Sequence, residues 1–313
     1  MLSRDAEHLY WLARYIERAE NTARMINVNV EMMLDFPVDD TLGWESIIES
    51  MDSKKDFLKI YSNYEESNVI NFLSIEKNNP NSIISCLKGA TYNSEFIKDD
   101  LPRSSIEELN NIQLFFQKEM TLNASKRKRA KNIYEVISSS QRFFGIISDN
   151  FSRGYAFEFL RLGRFIERAD MISRIIDSIS SAKKKEGTVD LSTLEWVNLL
   201  KTLSAHQAFR KVSRGDIEKE SVINFLFKDD NFPRSIHRCL TILKKSFLSL
   251  PKNNLALAST EKFLKSIDSS RVGRYGDKKI HEFIEKNRIT KYIKGLEPEL
   301  QNEIKINQRP KSL

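Results

Sequence analysis

The chain carries the same signature twice, 150 residues apart, and this repetition constrains its fold more than any other feature. Leu12-Ala-Arg14-Tyr15-Ile16-Glu17-Arg18-Ala19-Glu20 returns as Leu162-Gly-Arg164-Phe165-Ile166-Glu167-Arg168-Ala169-Asp170, and each copy leads on to an arginine, Arg24 and Arg174. Trp44 then answers Trp196, and Val69-Ile-Asn-Phe-Leu73 answers Val222-Ile-Asn-Phe-Leu226. Pro80-Asn-Ser-Ile-Ile-Ser-Cys86-Leu87 answers Pro233-Arg-Ser-Ile-His-Arg-Cys239-Leu240. Matched blocks in one order indicate an internal duplication, with repeats of about 1–150 and 151–313. The expected architecture is a single domain of two related halves, folded as one body with pseudo-twofold symmetry.

The punctuation needed for short strands and tight turns is scarce, with only 10 glycines and 7 prolines in 313 residues. Long helices follow, and the expected fold class is all-α: a bundle of about a dozen helices. With 40% hydrophobic and 30% charged residues, the chain has enough apolar material for a sizeable core. No apolar run reaches the ~18 to 20 residues needed to cross a bilayer, so no membrane partner is expected. Asp5 and Glu7 interrupt the N-terminal segment, which does not read as a secretory signal. Cys86 and Cys239 occupy matching positions in apolar helical segments, which reads as two buried thiols in a reducing cytoplasm; a disulfide across the pseudo-dyad is the alternative.

The first helix is expected over Leu2–Leu34, where Leu9, Leu12, Ile16, Ala19, Ala23 and Ile26 fall within a ~100° stripe. Its counterpart runs from Tyr155 to about Ser181. Helices over Trp44–Tyr61 and Leu194–Val212 come next, the second introduced by a Ser192-Thr-Leu-Glu195 capping box. Short helices lie around Val69–Leu73 and Val222–Phe227, and Pro80 and Pro233 each stand where another helix begins. Ser105–Met120 with Asn254–Asp268, and Ala130–Asp149 with Lys279–Lys294, close the two halves. Ser180–Val189 reads as a loop, and the polar tail after Gly295 reads as a frayed end.

The repeat preserves charge as well as core. At 100° per residue, Arg14, Glu17, Asn21 and Arg24 fall within ~80° of one another, opposite the apolar stripe, and Arg164, Glu167, Met171 and Arg174 do the same in the second copy. Arg18 and Arg168 flank this face. Arginine holds all six repeated cation positions although lysine is abundant elsewhere. Its planar fork grips carboxylate or phosphate bidentately, as lysine cannot. The face admits three readings. In one, each glutamate pairs with arginines nearby or across the pseudo-dyad and locks the long helices together. In the second, Arg14, Glu17, Arg18, Arg24, Arg164, Glu167, Arg168 and Arg174 form a recognition surface for an acidic peptide, a carboxylate or a partner protein. The third is a metal or acid/base centre of Glu17, Glu20, Glu167 and Asp170, but di-metal bundle sites also use histidine at Glu-x-x-His spacing, and none stands here.

No other constellation carries chemistry. His8, His206, His237 and His281 are scattered, and there is no G-x-S-x-G, no phosphate-binding glycine loop and no Cys–His pair. Ser269-Ser-Arg-Val-Gly273-Arg-Tyr-Gly276 reads as an interhelical turn. The formal charge of +7 comes largely from lysine, and the densest run, Lys126-Arg-Lys-Arg-Ala-Lys131, lacks interleaved aromatics. It reads as a solvated helix start, so no nucleic-acid partner is expected. No catalytic residue, cofactor or metal is assigned.

The opening from Met1 to Arg24, the second signature Phe159–Asp170, and Phe232-Pro233-Arg234-Ser235-Ile236 with Cys239-Leu240 together resemble the Alpha-E family, bacterial proteins of predicted α-helical structure named for a Glu-Arg motif. The likeness covers roughly residues 1 to 250. Where that family carries an arginine-rich stretch, this chain reads Ala90-Thr-Tyr-Asn93-Ser-Glu95-Phe-Ile-Lys98-Asp99. Such proteins are typically encoded beside, or fused to, a circularly permuted ATP-grasp protein, and ATP-grasp enzymes form amide bonds through acyl phosphates. The resemblance therefore implies a non-catalytic helical partner of an ATP-grasp amide ligase in bacterial peptide synthesis or modification. The alternatives are an enzyme using Glu17 or Glu167 as acid/base in an Arg-lined cleft, and a purely structural scaffold.

Overall fold

The computed structural model describes residues 1–35, 40–122, 124–181, 192–213, 215–269, 292 and 296. Thirteen α-helices and no strand occur among them. In chain order they are α1 (Ser3–Asp35), α2 (Asp40–Ser50), α3 (Lys54–Leu58), α4 (Glu66–Ser74), α5 (Ile83–Glu95), α6 (Arg103–Glu119) and α7 (Lys126–Asn150). There follow α8 (Tyr155–Ser181), α9 (Ser192–Thr202), α10 (His206–Val212), α11 (Lys219–Lys228), α12 (Ile236–Leu248) and α13 (Asn254–Ser269). The helix expected over Lys279–Lys294, the glycine-bearing turn after Ser269, the loop before Val189, the side chain of Ser192 and the tail after Gly295 fall outside the described residues, Tyr292 and Leu296 excepted.

Two expected helices are each broken once. Trp44–Tyr61 divides into α2 and α3, and Leu194–Val212 into α9 and α10. Asp52 and Ser204 adopt left-handed backbone, with φ of 51° and 52°. The Asp52 N–H donates to Glu49 O and the Ser53 N–H to Ile48 O; the Ser204 N–H donates to Lys201 O and the Ala205 N–H to Leu200 O. Each is a Schellman ending, in which the last carbonyls of the helix are satisfied by two N–H groups beyond it. Glycine usually takes the left-handed position, and neither break has one, so composition gives no warning.

Pro80 and Pro233 precede their helices instead of opening them. The Ser82 hydroxyl accepts from the Ser85 N–H and the Ser235 hydroxyl from the Arg238 N–H, so α5 and α12 begin after serine caps. The basic run opens α7 as expected. Lys126 lies 2.9 Å from Glu66 and Lys128 2.8 Å from Glu119, so acidic neighbours offset part of its charge.

The long helices α1 and α8 form the centre, packed more extensively on each other than any other pair. α5 and α7 also cover α1, and α12 covers α8; α9 reaches over to α1 and α2 to α8. Every residue of the predicted α1 stripe is buried. The face opposite it is also covered: Glu17, Glu20, Asn21, Thr22 and Arg24 are buried. The two-faced projection holds only for a helix with a single neighbour, and α1 has several. At the α1–α8 crossing stands Gly163, where an added Cβ would lie 2.1 Å from the Tyr10 carbonyl oxygen.

Candidate functional site

The repeated charges meet across the α1–α8 interface. Glu167 of α8 receives Arg14 and Arg18 of α1, with Arg14 Nε donating to Oε2 at 2.6 Å. Arg18 binds as a fork, Nε to Oε1 at 2.5 Å and Nη2 to Oε2 at 3.0 Å. Glu17 of α1 receives Arg164 and Arg168 of α8, and Arg168 repeats the fork, Nε to Oε1 at 2.6 Å and Nη2 to Oε2 at 2.8 Å. Arg164 Nε completes the set at 3.3 Å from Oε2. Residues 150 positions apart thus use the same atoms in opposite directions, and the use of arginine throughout has its reason in these two bidentate grips.

Arg24 and Arg174 bond chiefly along their own helices. Arg24 Nε donates to Glu20 at 2.8 Å and Arg174 Nε to Asp170 at 3.2 Å. Arg24 Nη1 also donates to the Ser204 hydroxyl at 2.8 Å, which ties the α9–α10 break to the centre. All eight residues predicted from the sequence therefore lie in ion pairs, six of them in the two cross-helix knots and Arg24 and Arg174 in pairs within α1 and α8. The four carboxylates proposed as a metal or acid/base set each face arginine. Among the described residues, no three or more His, Cys, Asp or Glu side chains are grouped so as to hold a metal ion.

The sequence reading missed Asn81 and Arg234. They occupy matching positions just after Pro80 and Pro233, and each reaches the knot of its half. Asn81 Oδ1 accepts from Arg18 Nη1 at 2.8 Å. Arg234 donates to Glu17 at 3.4 Å, Asn21 at 3.0 Å and Glu20 at 2.5 Å. The available signal was the charge change from Asn81 to Arg234 in a block matched at five of its eight positions. Tyr10 adds a further acceptor, its hydroxyl receiving Arg14 Nη1 at 3.2 Å.

Electrostatics fix the protonation of both glutamates. Burial alone would push each upward, but the arginines outweigh it. Arg168, Arg234 and Arg164 hold Glu17 far below the ordinary carboxylate range. Arg14 and Arg18 bring Glu167 down to about 2. Both are carboxylates at neutral pH, with every oxygen engaged. On the Glu17 side the balance tips the other way: burial and Arg168 lower Arg234 to about 10, despite Glu20 and Glu17. Cys86 and Cys239 sit beside the two knots as buried free thiols, each pushed up to about 12 by burial.

Two Glu-Arg dipeptides thus pin the described helices at their centre. The chain belongs to the Alpha-E family, a predicted alpha-helical domain with a conserved ER motif, which it matches over residues 1–302. In this chain the dipeptides are Glu17-Arg18 and Glu167-Arg168. No curated protein and no solved structure matches it. Among the described residues, no helix is long and apolar enough to cross a membrane.

Proposed function

We propose that this chain is a non-catalytic binding module, the helical partner of a circularly permuted ATP-grasp amide ligase in a bacterial, cytoplasmic peptide-synthesis or peptide-modification system. One observation carries the non-catalytic part: Glu17 and Glu167 are saturated by arginine forks and held as carboxylates. A general base needs a pKa near the working pH and a free lone pair, and these glutamates have neither. Family membership supports the choice of partner, because the resemblance implies such a ligase as genomic neighbour. The acidic peptide or carboxylate ligand is taken by the arginines at the edge of the centre, above all Arg164, whose side chain is 25% exposed.

The same reading takes the chain as one domain, a duplication closed about a pseudo-twofold axis between α1 and α8. The reciprocal Glu–Arg grips, the paired left-handed breaks at Asp52 and Ser204, and the crossing-over of α2 and α9 support it. The test is co-purification of the tagged chain with the neighbouring ATP-grasp protein, together with ligase activity measured with and without the chain. Co-elution and a change in ligation rate are expected. No association and an unchanged rate would overturn the proposal.

A further inference from the structure

The two knots differ in charge. Around Glu167 and Asp170 stand Arg14, Arg18 and Arg174, three guanidiniums facing two carboxylates, with Asn81 where the other half has Arg234. Around Glu17 and Glu20 stand Arg24, Arg164, Arg168 and Arg234, so four guanidiniums face two carboxylates. The charged groups that act most on Arg234 are Arg168, Glu20, Glu17 and Arg24. Arg24, Arg168 and Arg234 are buried while Arg164 is partly exposed, so this excess of two positive charges is costly unless solvent or an anion at the Arg164 edge offsets it.

The open hydrogen-bonding capacity lies in the same place. Arg164 uses only Nε on Glu17, and its two terminal nitrogens have no acceptor among the described residues. Its guanidinium carbon lies over the Phe144 ring, 3.7 Å from the centroid, a cation–π contact that favours this placement of the fork. Asn21 is 4% exposed, and its Nδ2 donor has no partner although Arg234 engages its Oδ1. Glu20 Oε2 is also without a donor. The corner therefore calls for negative charge together with at least one proton donor, as a hydrogen phosphate or a hydrated carboxylate supplies.

We infer that the Glu17 side of the centre, formed by Arg164, Arg168, Arg234 and Asn21, is an oxyanion-binding site that takes a carboxylate or phosphoryl group through the free fork of Arg164. The inference rests on the binding-module reading and narrows its ligand to one of the two halves. The half bearing Asn81 lacks the fourth arginine and takes no such ligand.

The experiment uses the purified full chain and titrates it with inorganic phosphate, with a short acidic peptide bearing a free C-terminus and with its amidated form. Calorimetry and thermal shift are read at constant ionic strength, with chloride as the reference anion. Saturable binding of phosphate or of the free-acid peptide is expected, and the preferred probe shows whether the group is phosphoryl or carboxylate. Arg164→Gln should weaken it by about tenfold or more, because the bidentate grip is lost. Arg103→Gln, which removes the same charge from an exposed pair on α6, should change it by less than about twofold. Circular dichroism confirms the fold of both. Binding no stronger than that of chloride, or equal losses in the two variants, would overturn the inference. Because no ligase is present, an oxyanion result stands apart from the co-purification result: either can fail alone.

Discussion

Arg18 and Arg168 show at single-residue scale why this chain spends arginine where lysine is plentiful. Each makes two parallel hydrogen bonds to one buried carboxylate, and an ammonium reaches that carboxylate from one point only. The linkage has a definite sign. Glu167 is held at about 2, below its ordinary 4.5, so its stabilisation is complete above 4.5 and is lost as pH falls through about 2. Denaturant midpoints of the wild type should therefore fall as pH drops from about 6 to about 2, and Glu167→Gln should show a shallower fall. A variant that tracks the wild type across this range would contradict the pairing. The sequence displayed the eight charged residues and their preference for arginine. It did not display Arg234 or Asn81, whose roles depend on a loop that returns to the centre from more than sixty residues away.

The elements were legible where a hydrophobic period runs for several turns, as in α1 and α8, whose bounds lie within a residue or so of expectation. They were not legible at Asp52 and Ser204, because the left-handed turns there are held by backbone hydrogen bonds that leave no glycine in the sequence. The projection placed the charges opposite the apolar stripe but could not show what covers them. The middle turns of α1 are covered by α8, α5, α7 and α9, so the polar residues there find partners inside. Close approach of α1 and α8 depends on Gly163. Gly163→Ala would put a methyl group against the Tyr10 carbonyl and should cost about 1–3 kcal/mol, with the helices forced apart. Urea denaturation gives the value; an unchanged midpoint would show that the crossing is looser than described.

For the whole molecule, the matched blocks were the decisive sequence signal, because they named the residues that meet across the centre before any packing was known. Relative placement was beyond them. Nothing in the blocks says that Glu17 faces α8 rather than a residue of its own half, since periodicity assigns a face and not a neighbour. The structure resolves this in favour of reciprocal grips, and the central claim is that these lock the two long helices to each other. The most direct test is the unfolding free energy of Glu17→Gln, measured by urea denaturation and followed by circular dichroism. The substitution keeps the shape and leaves Arg168 and Arg234 buried, and Arg164 partly so, around a neutral amide. A loss of about 3–5 kcal/mol is expected, as for a buried ion pair stripped of one partner. A loss below about 1 kcal/mol, the level of an exposed surface pair, would contradict the lock.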